Sequence, residues 1–447
     1  MNILNKLTRN GVIRINSPGI CSSVQRNASI KIKEDNPRDI VSSRSDPKEQ
    51  RLYVWGLAEL GALGEIKIRS QKNKQKFTHR PIRKIFAFSH RIIDFSCGYG
   101  FTLYAVKSDT AKQLYGSGLN TDSQVGYHAV RKDQPLKMVF SIQPIRVPLK
   151  NPRSTNIIKV GAGRAHSIAL TDKEGVFSLG NNAFGQCGRP VVEDEDYSMF
   201  RDTHKIKELD NLSIVDVVCG QDHTLFLTEN GEVYSCGCGS DGQTGLGNLK
   251  CTNTPTLVEG DIKGENIVKL SSSADSVLAL NDKGDVFGWG NSEYFQIPND
   301  TESQQIATPM HIKKLSKLGK IIDIASGSTF SLVLTEKREV FVWGFGILGK
   351  GPDLKQSIIP QQIPETLFGL NQFNSDVFVE SIHCGINTLA AINNKNELYM
   401  WGKNQYGQLG IGHENHQYFP FRVAIGGKVL KVNCGADHTM ALCKPFL

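Results

Sequence analysis

Apolar positions in this chain come in runs of four or five residues that alternate in side-chain character and meet at tight turns. The clearest instance is 217–247, VVCGQDHTLFLTENGEVYSCGCGSDGQTGLG, where two runs join at Glu229-Asn230-Gly231. Asn and Gly tolerate the positive φ of such a turn, so the unit predicts a β-hairpin. The pattern recurs as GAGRAHSIALTDKEGVFSLGNNAFGQCG before it. After it come SSSADSVLALNDKGDVFGWGNSEYFQI, ASGSTFSLVLTEKREVFVWGFGILGKG and HCGINTLAAINNKNELYMWGKNQYGQLGIG. A divergent copy surrounds Cys97 to Gly126.

Each second run ends on a glycine: Gly56, Gly118, Gly180, Gly237, Gly290, Gly344 and Gly402, separated by 53 to 62 residues. After each hairpin a further 20 to 30 residues remain, enough for two more strands and a crossing to the next unit. Four strands in each of seven units predict an all-β fold, a seven-bladed β-propeller. The chain opens with the second half of a unit, Leu52 to Gly56, and closes with the first half, Val429 to Leu442. Joined, they complete a seventh blade, so the ring is expected to close through N- and C-terminal strands in one shared blade. The propeller is thereby assigned to 51–447.

Composition agrees with many turns: 43 of 447 residues are glycine, with no three-residue period. The formal charge of +8 is concentrated at one end. Lys6, Arg9, Arg14, Arg26, Lys31 and Lys33 precede the first acid, Glu34, and the remainder is nearly neutral. An acid-free leader without a compact apolar core reads as a mitochondrial transit peptide over roughly 1–33, followed by a linker over 34–50. The expected location is the mitochondrial matrix or the matrix face of the inner membrane. No apolar run is long enough to span a bilayer, so any membrane contact is expected to be peripheral. The ten cysteines contain no Cys-x-x-Cys pair and read as reduced thiols.

Few motifs promise chemistry. Gly237, Gly239 and Gly242 satisfy G-x-G-x-x-G, and Gly344 with Gly349-Lys350 satisfies most of a P-loop, but both stand at the hairpin exit of a repeat. The second also has Gly351 where magnesium needs a hydroxyl. His166, His223 and His438 share one repeat position with Phe101, Ser276, Phe330 and Thr388. A position that accepts Phe is a packing position, and when His fills it the ring is expected to make a backbone hydrogen bond. Cys97, Cys219, Cys384 and Cys434 recur beside it as small core residues. No catalytic motif is found, so no covalent catalysis, metal or cofactor is expected. The working surfaces are sought outside the repeat. Lys67, Arg69, Lys72, Lys74, Lys76, Arg80, Arg83, Lys84 and Arg91 form an acid-free basic segment suited to RNA or an acidic surface. An insertion-like stretch from 128 to 148 and the acidic cluster Glu193-Asp194-Glu195-Asp196 are further candidates for a partner contact.

The Cys-Gly-x-x-His-(Thr/Ser) element (Cys219, Gly220, His223, Thr224; Cys434, Gly435, His438, Thr439), the Trp-Gly ending and Gly407-Gln408-x-Gly410 resemble the regulator of chromosome condensation repeat. The leader and phrases such as NNAFGQCGR, CGQDHTLFLT and WGNSEY are similar to the mitochondrial, guanine-nucleotide-exchange-factor-like branch of that family. The resemblance implies exchange on a mitochondrial GTPase, such as a dynamin-like GTPase of inner-membrane fusion. It equally implies a scaffold for ribosomal RNA modification and mitochondrial ribosome assembly. Family contacts to GTPases fall on loops that include the residue before the His position. That residue is Asp222, Asp275 and Asp437 in three copies and Gly100, Ala165, Thr329 and Asn387 in the others, so the three aspartates are the partner-binding candidates.

Residues 1–40 fused to a reporter should direct it to mitochondria, and Arg9→Glu with Arg14→Glu should lower import several-fold, measured by fractionation. A cytosolic reporter would remove the assignment.

Overall fold

Seven four-stranded antiparallel sheets follow one another around a ring. The computed structural model describes residues 50–64, 77–84, 91–108, 110, 112–126, 138–199, 203–298 and 303–446. Blades 1 to 6 occupy 92–145, 157–205, 214–257, 267–311, 321–363 and 379–422, with strands A to D running from the centre outward. Blade 7 is shared: strands A and B are Gly427–Cys434 and His438–Pro445, strands C and D are Arg51–Leu57 and Phe77–Lys84. Leu52 faces Leu442 and Gly56 faces His438 across that join. The expected fold and closure are the observed ones. The leader and linker lie outside the described residues.

One expectation about pattern is corrected. The B strands do not alternate: FTLYAV, HSIALT, HTLFLT, SVLALN, FSLVLT and TLAAIN are buried at all six positions. Each blade is covered on both faces by its neighbours, so neither face of its second strand meets water. The stretch 128–148 is likewise only partly an insertion. Met138–Ile145 is strand D of blade 1, and 127–137 lie outside the described residues.

The repeat glycine that ends strand C is required twice over. All seven have φ of 96° to 115°, and a Cβ there would stand 2.2 to 2.5 Å from the carbonyl oxygen of the residue before the His position. The turn after it carries glutamine because the side-chain oxygen of Gln124, Gln186, Gln243, Gln296 and Gln408 accepts the backbone N–H two residues earlier, at 2.8 to 3.0 Å. That leaves the backbone carbonyl of the same residue pointing at the next blade. Gln186 O accepts from Thr224 Oγ1 at 2.7 Å and Cys236 Sγ at 3.7 Å. Gln296 O accepts from Ser331 Oγ and Trp343 Nε1, and Gln408 O from Thr439 Oγ1 and Trp55 Nε1. Blade 7 has Ala62 at this place, and its carbonyl serves Thr102 and Ser117 just as well.

The histidines complete the same seams. Thr102 and Thr224 donate their hydroxyl protons to those carbonyls, so they accept from the Nε2–H of His438 (2.8 Å) and His166 (3.0 Å). The ring's partner is thus a side-chain hydroxyl of the next blade, not the backbone group expected from sequence. His223 meets Val277 at the corresponding place and reaches Ser272 Oγ instead, at 3.4 Å. Burial pushes the imidazole pKa down to about 3 for His166 and His223 and about 4 for His438, so all three are neutral. Glycine precedes by three because the ring lies on its Cα: a Cβ at Gly220 would be 2.0 Å from His223 Cε1.

Seam 5–6 departs from this rule. The turn of blade 5 lacks the glutamine, Leu389 replaces the hydroxyl, and Trp401 Nε1 is buried without a hydrogen-bond partner. Trp289→Phe and Trp343→Phe should therefore each destabilise by about 1 kcal/mol more than Trp401→Phe, read from denaturant midpoints, because only the first two lose a bond.

Candidate partner-binding face

The A strands surround a channel of about 230 Å³ lined by residues of every blade. Corresponding A-strand positions carry Asp94, Lys159, Asp216, Lys269, Asp323, Ser381 and Lys431 in blades 1 to 7. The charge alternates around the ring, and the odd seventh place falls to neutral Ser381. Lys159 pairs with Asp216 at 3.1 Å, Lys269 with Asp323, and Lys431 with Asp94. Asp94 and Asp323 also accept the backbone N–H of Val160 and Ile382 in the following blades. Every cation of this belt is matched within it, so the channel wall serves the ring.

One mouth of the channel is formed by the A–B loops. Tyr99 of blade 1 reaches across it, its hydroxyl 3.4 Å from Gln221 Oε1 and 3.5 Å from Ser273 O. Burial, then the negative charges of Asp275 and Asp222, push the Tyr99 pKa up. Asp222 is buried and clamped by Arg164, with Oδ2 2.6 Å from Nη2 and Oδ1 3.1 Å from Nε. Asp275 accepts from Gln243 Nε2 at 3.2 Å. Its carboxyl is raised to about 6, first by burial, then by the charges of Asp241 and Asp222. Asp437 is raised by burial alone. The structure therefore gathers Asp222 and Asp275 with Tyr99, Arg164 and Asp241, while Asp437 of blade 7 joins them only through its charge, which also raises Tyr99.

Aromatic side chains border the same face. Tyr294 stacks on Phe345 with centroids 5.3 Å apart, and Phe345 and Phe184 are exposed. Sequence reasoning missed Arg164, Tyr99, Asp241 and this rim. The usable signal was position: Phe345 follows the strand C glycine, where other copies have Leu57, Leu119, Asn181, Cys238, Asn291 and Lys403.

The described residues include only part of the basic segment. Lys67, Arg69, Lys72, Lys74 and Lys76 lie outside the described residues. Arg80, Arg83 and Lys84 fall on the outermost strand of blade 7, and Arg91 precedes strand A of blade 1. The acidic cluster is partly structural, since Glu195 pairs with Arg189 at 2.8 Å and Asp196 accepts the Ser198 N–H. Both glycine runs are turns: Gly237 to Gly242 lead from strand C to strand D of blade 3, and Lys350 Nζ donates to Gln362 O of its own blade. Among the described residues no group of three or more His, Cys, Asp or Glu side chains could hold a metal.

An acid whose folded pKa is raised binds more protons folded than unfolded between about pH 4 and 6, so it costs stability at neutral pH and that cost fades as pH falls through 6. Asp275→Asn should accordingly stabilise the protein at pH 7.5 by on the order of 1 kcal/mol, with the gain gone below about pH 4, measured by thermal unfolding across pH.

Residues 193–445 match the RCC1-like domain, and 157–186 match a regulator of chromosome condensation (RCC1) repeat. RCC1-like G exchanging factor-like protein of Mus musculus is 47% identical over 410 residues, covering 90% of this chain and 88% of that protein. Its Homo sapiens counterpart is 46% identical with the same coverage. The crystal structure of human WBSCR16 has a TM-score of 0.83 at 44% identity, over 89% of this chain and all of that one. Yeast RCC1 (Prp20), solved bound to Kap60, shares the fold at 18% identity with a TM-score of 0.71, over 96% of this chain and 97% of that one. With over half of it inside the domain match and both mammalian relatives aligned along most of their length, the chain belongs to the RCC1-like family of seven-bladed propellers.

Proposed function

We propose that this protein is a mitochondrial guanine-nucleotide exchange factor that presents its A–B loop face to a GTPase. The observation that carries the reading is the 46% identity over 410 residues to a Homo sapiens protein named RCC1-like G exchanging factor-like. The face supports it. Exchange demands only that the nucleotide-free partner be bound more tightly than the loaded one, so no proton-transfer group is needed. Carboxylates that are costly to hold charged, beside exposed aromatics, are the groups a protein interface uses for steering and anchoring. The leader with six basic residues and no acid supports the compartment. An inner-membrane fusion GTPase is the proposed class of partner.

The nine basic residues between Lys67 and Arg91 favour a second reading, an RNA-associated scaffold in ribosome assembly. Affinity purification from mitochondria with and without ribonuclease separates the two. Under the first reading a GTPase is retained after ribonuclease. Asp222→Asn with Asp275→Asn and Asp437→Asn should then lower accelerated nucleotide release at least tenfold and leave RNA contact unchanged. Under the second, Lys72→Glu, Lys74→Glu and Lys76→Glu should weaken an RNA affinity that falls steeply with salt. Parental exchange by a folded aspartate variant would remove the assignment of those residues.

A further inference from the structure

We infer that Cys238 and Cys251 form a reversible disulfide, at the base of the loop joining strands C and D of blade 3, by exchange with a low-mass disulfide such as oxidised glutathione. Gly237 pairs with Thr252 at the end of that antiparallel ladder. Continued one step past that last pair, the register sets Cys238 opposite Cys251. The other blades show that this pair stays in register. Leu57 faces Phe77, Leu119 faces Met138, Asn291 faces Gln305 and Phe345 faces Gln356 at the corresponding place. Opposed residues of an antiparallel pair have the Cα separation a disulfide accepts. The arms still touch one step further on, since a Cβ at Gly239 would lie 2.1 Å from Lys250 O. The Cys251 thiol is near enough to help raise the Cys238 pKa, and Cys238 Sγ lies 3.3 Å from Ser240 Oγ.

Access sets the order of events. Cys251 is exposed and Cys238 partly buried, both as free thiols, whereas Cys236 nearby is fully buried. The Cys251 thiolate attacks one sulfur of oxidised glutathione and releases a glutathione thiolate. The Cys238 thiolate then attacks Cys251 Sγ and expels the second. Two protein thiols are oxidised to one disulfide, one glutathione disulfide is reduced to two thiols, and the protons lost by the cysteines are taken up by the glutathione thiolates. Burial holds the Cys238 pKa up, so fewer Cys238 thiols are ionised to attack glutathione disulfide first.

The position gives the bond a consequence. The Cys238 N–H donates to Asp222 O at 2.8 Å, and the enclosed loop carries Asp241, whose charge raises Asp275. Oxidation staples this loop beside both carboxylates. The inference stands on the thiols alone and does not require the exchange reading.

The full-length reduced protein, incubated with oxidised and reduced glutathione at set ratios, is digested without reductant by trypsin and Glu-C and mapped by mass spectrometry. Cleavage after Glu232 and Lys250 places the two cysteines on separate peptides, and because the first also carries Cys236, fragment ions that break between Cys236 and Cys238 assign the bond. The expected result is this linked pair, reversed by dithiothreitol. Cys238→Ser should instead stop at a glutathione adduct on Cys251, and Cys251→Ser should give neither product. Parental protein that stops at the adduct, pairs either cysteine elsewhere, or keeps both thiols free at the most oxidising ratio overturns the inference. That result does not depend on either variant folding.

Discussion

A backbone carbonyl at the turn leaving strand C accepts buried donors from the next blade at six of the seven seams. Its glutamine side chain satisfies the turn internally, so the carbonyl is free to accept from a hydroxyl and an indole across the seam. Both donors are fully buried, and an unmet donor there would cost about 1 to 3 kcal/mol. This constraint explains why Thr, Ser, Trp and even Cys236 recur at two positions that otherwise pack like core residues. It also explains why Ala62 suffices in blade 7, since only its backbone is used. Seam 5–6 shows the alternative, an apolar contact of Phe330 and Leu389 with an unmatched indole at Trp401.

The charged belt around the channel solves a different problem, that of holding seven inner strands side by side. Alternation lets each lysine lie beside an aspartate of a neighbouring blade, and an odd ring forces one break, which Ser381 supplies without leaving an unmatched charge. Each pair is partly hydrated, so its Coulombic contribution is modest. The aspartates that also accept a neighbour's N–H tie backbone to backbone, and removing one would orphan both a lysine and an amide.

The ring was legible in sequence because its most demanding residues are local. A glycine with positive φ pressed against a carbonyl admits no substitute, so it recurs seven times and marks the blades. The histidine position read correctly as packing, because Phe101 and Phe330 fill it, but its hydrogen-bond partner lies a whole blade away and no local motif names it. The belt was invisible for the same reason: Lys431 and Asp94 belong to opposite ends of the chain. Asp222 and Asp275 were found through one loop position, yet the groups that set their charge, Arg164 and Asp241, come from a neighbouring A–B loop and a C–D loop.

What makes the A–B face available for recognition is a division of labour within one residue. In all seven blades the carbonyl of the residue before the His position accepts the N–H following the strand C glycine at 2.8 to 2.9 Å. The backbone meets the structural requirement, and the side chain is released from it. The occupants accordingly range over Gly100, Ala165, Asp222, Asp275, Thr329, Asn387 and Asp437 with no change in strand pairing. A position whose backbone is fixed and whose side chain takes no part in strand pairing presents variable chemistry at constant geometry. Seven such positions circle one channel mouth, so the pattern of charge on this face can vary while the strand pairing of every blade is kept, and only local cross-blade contacts such as Arg164 to Asp222 change with it.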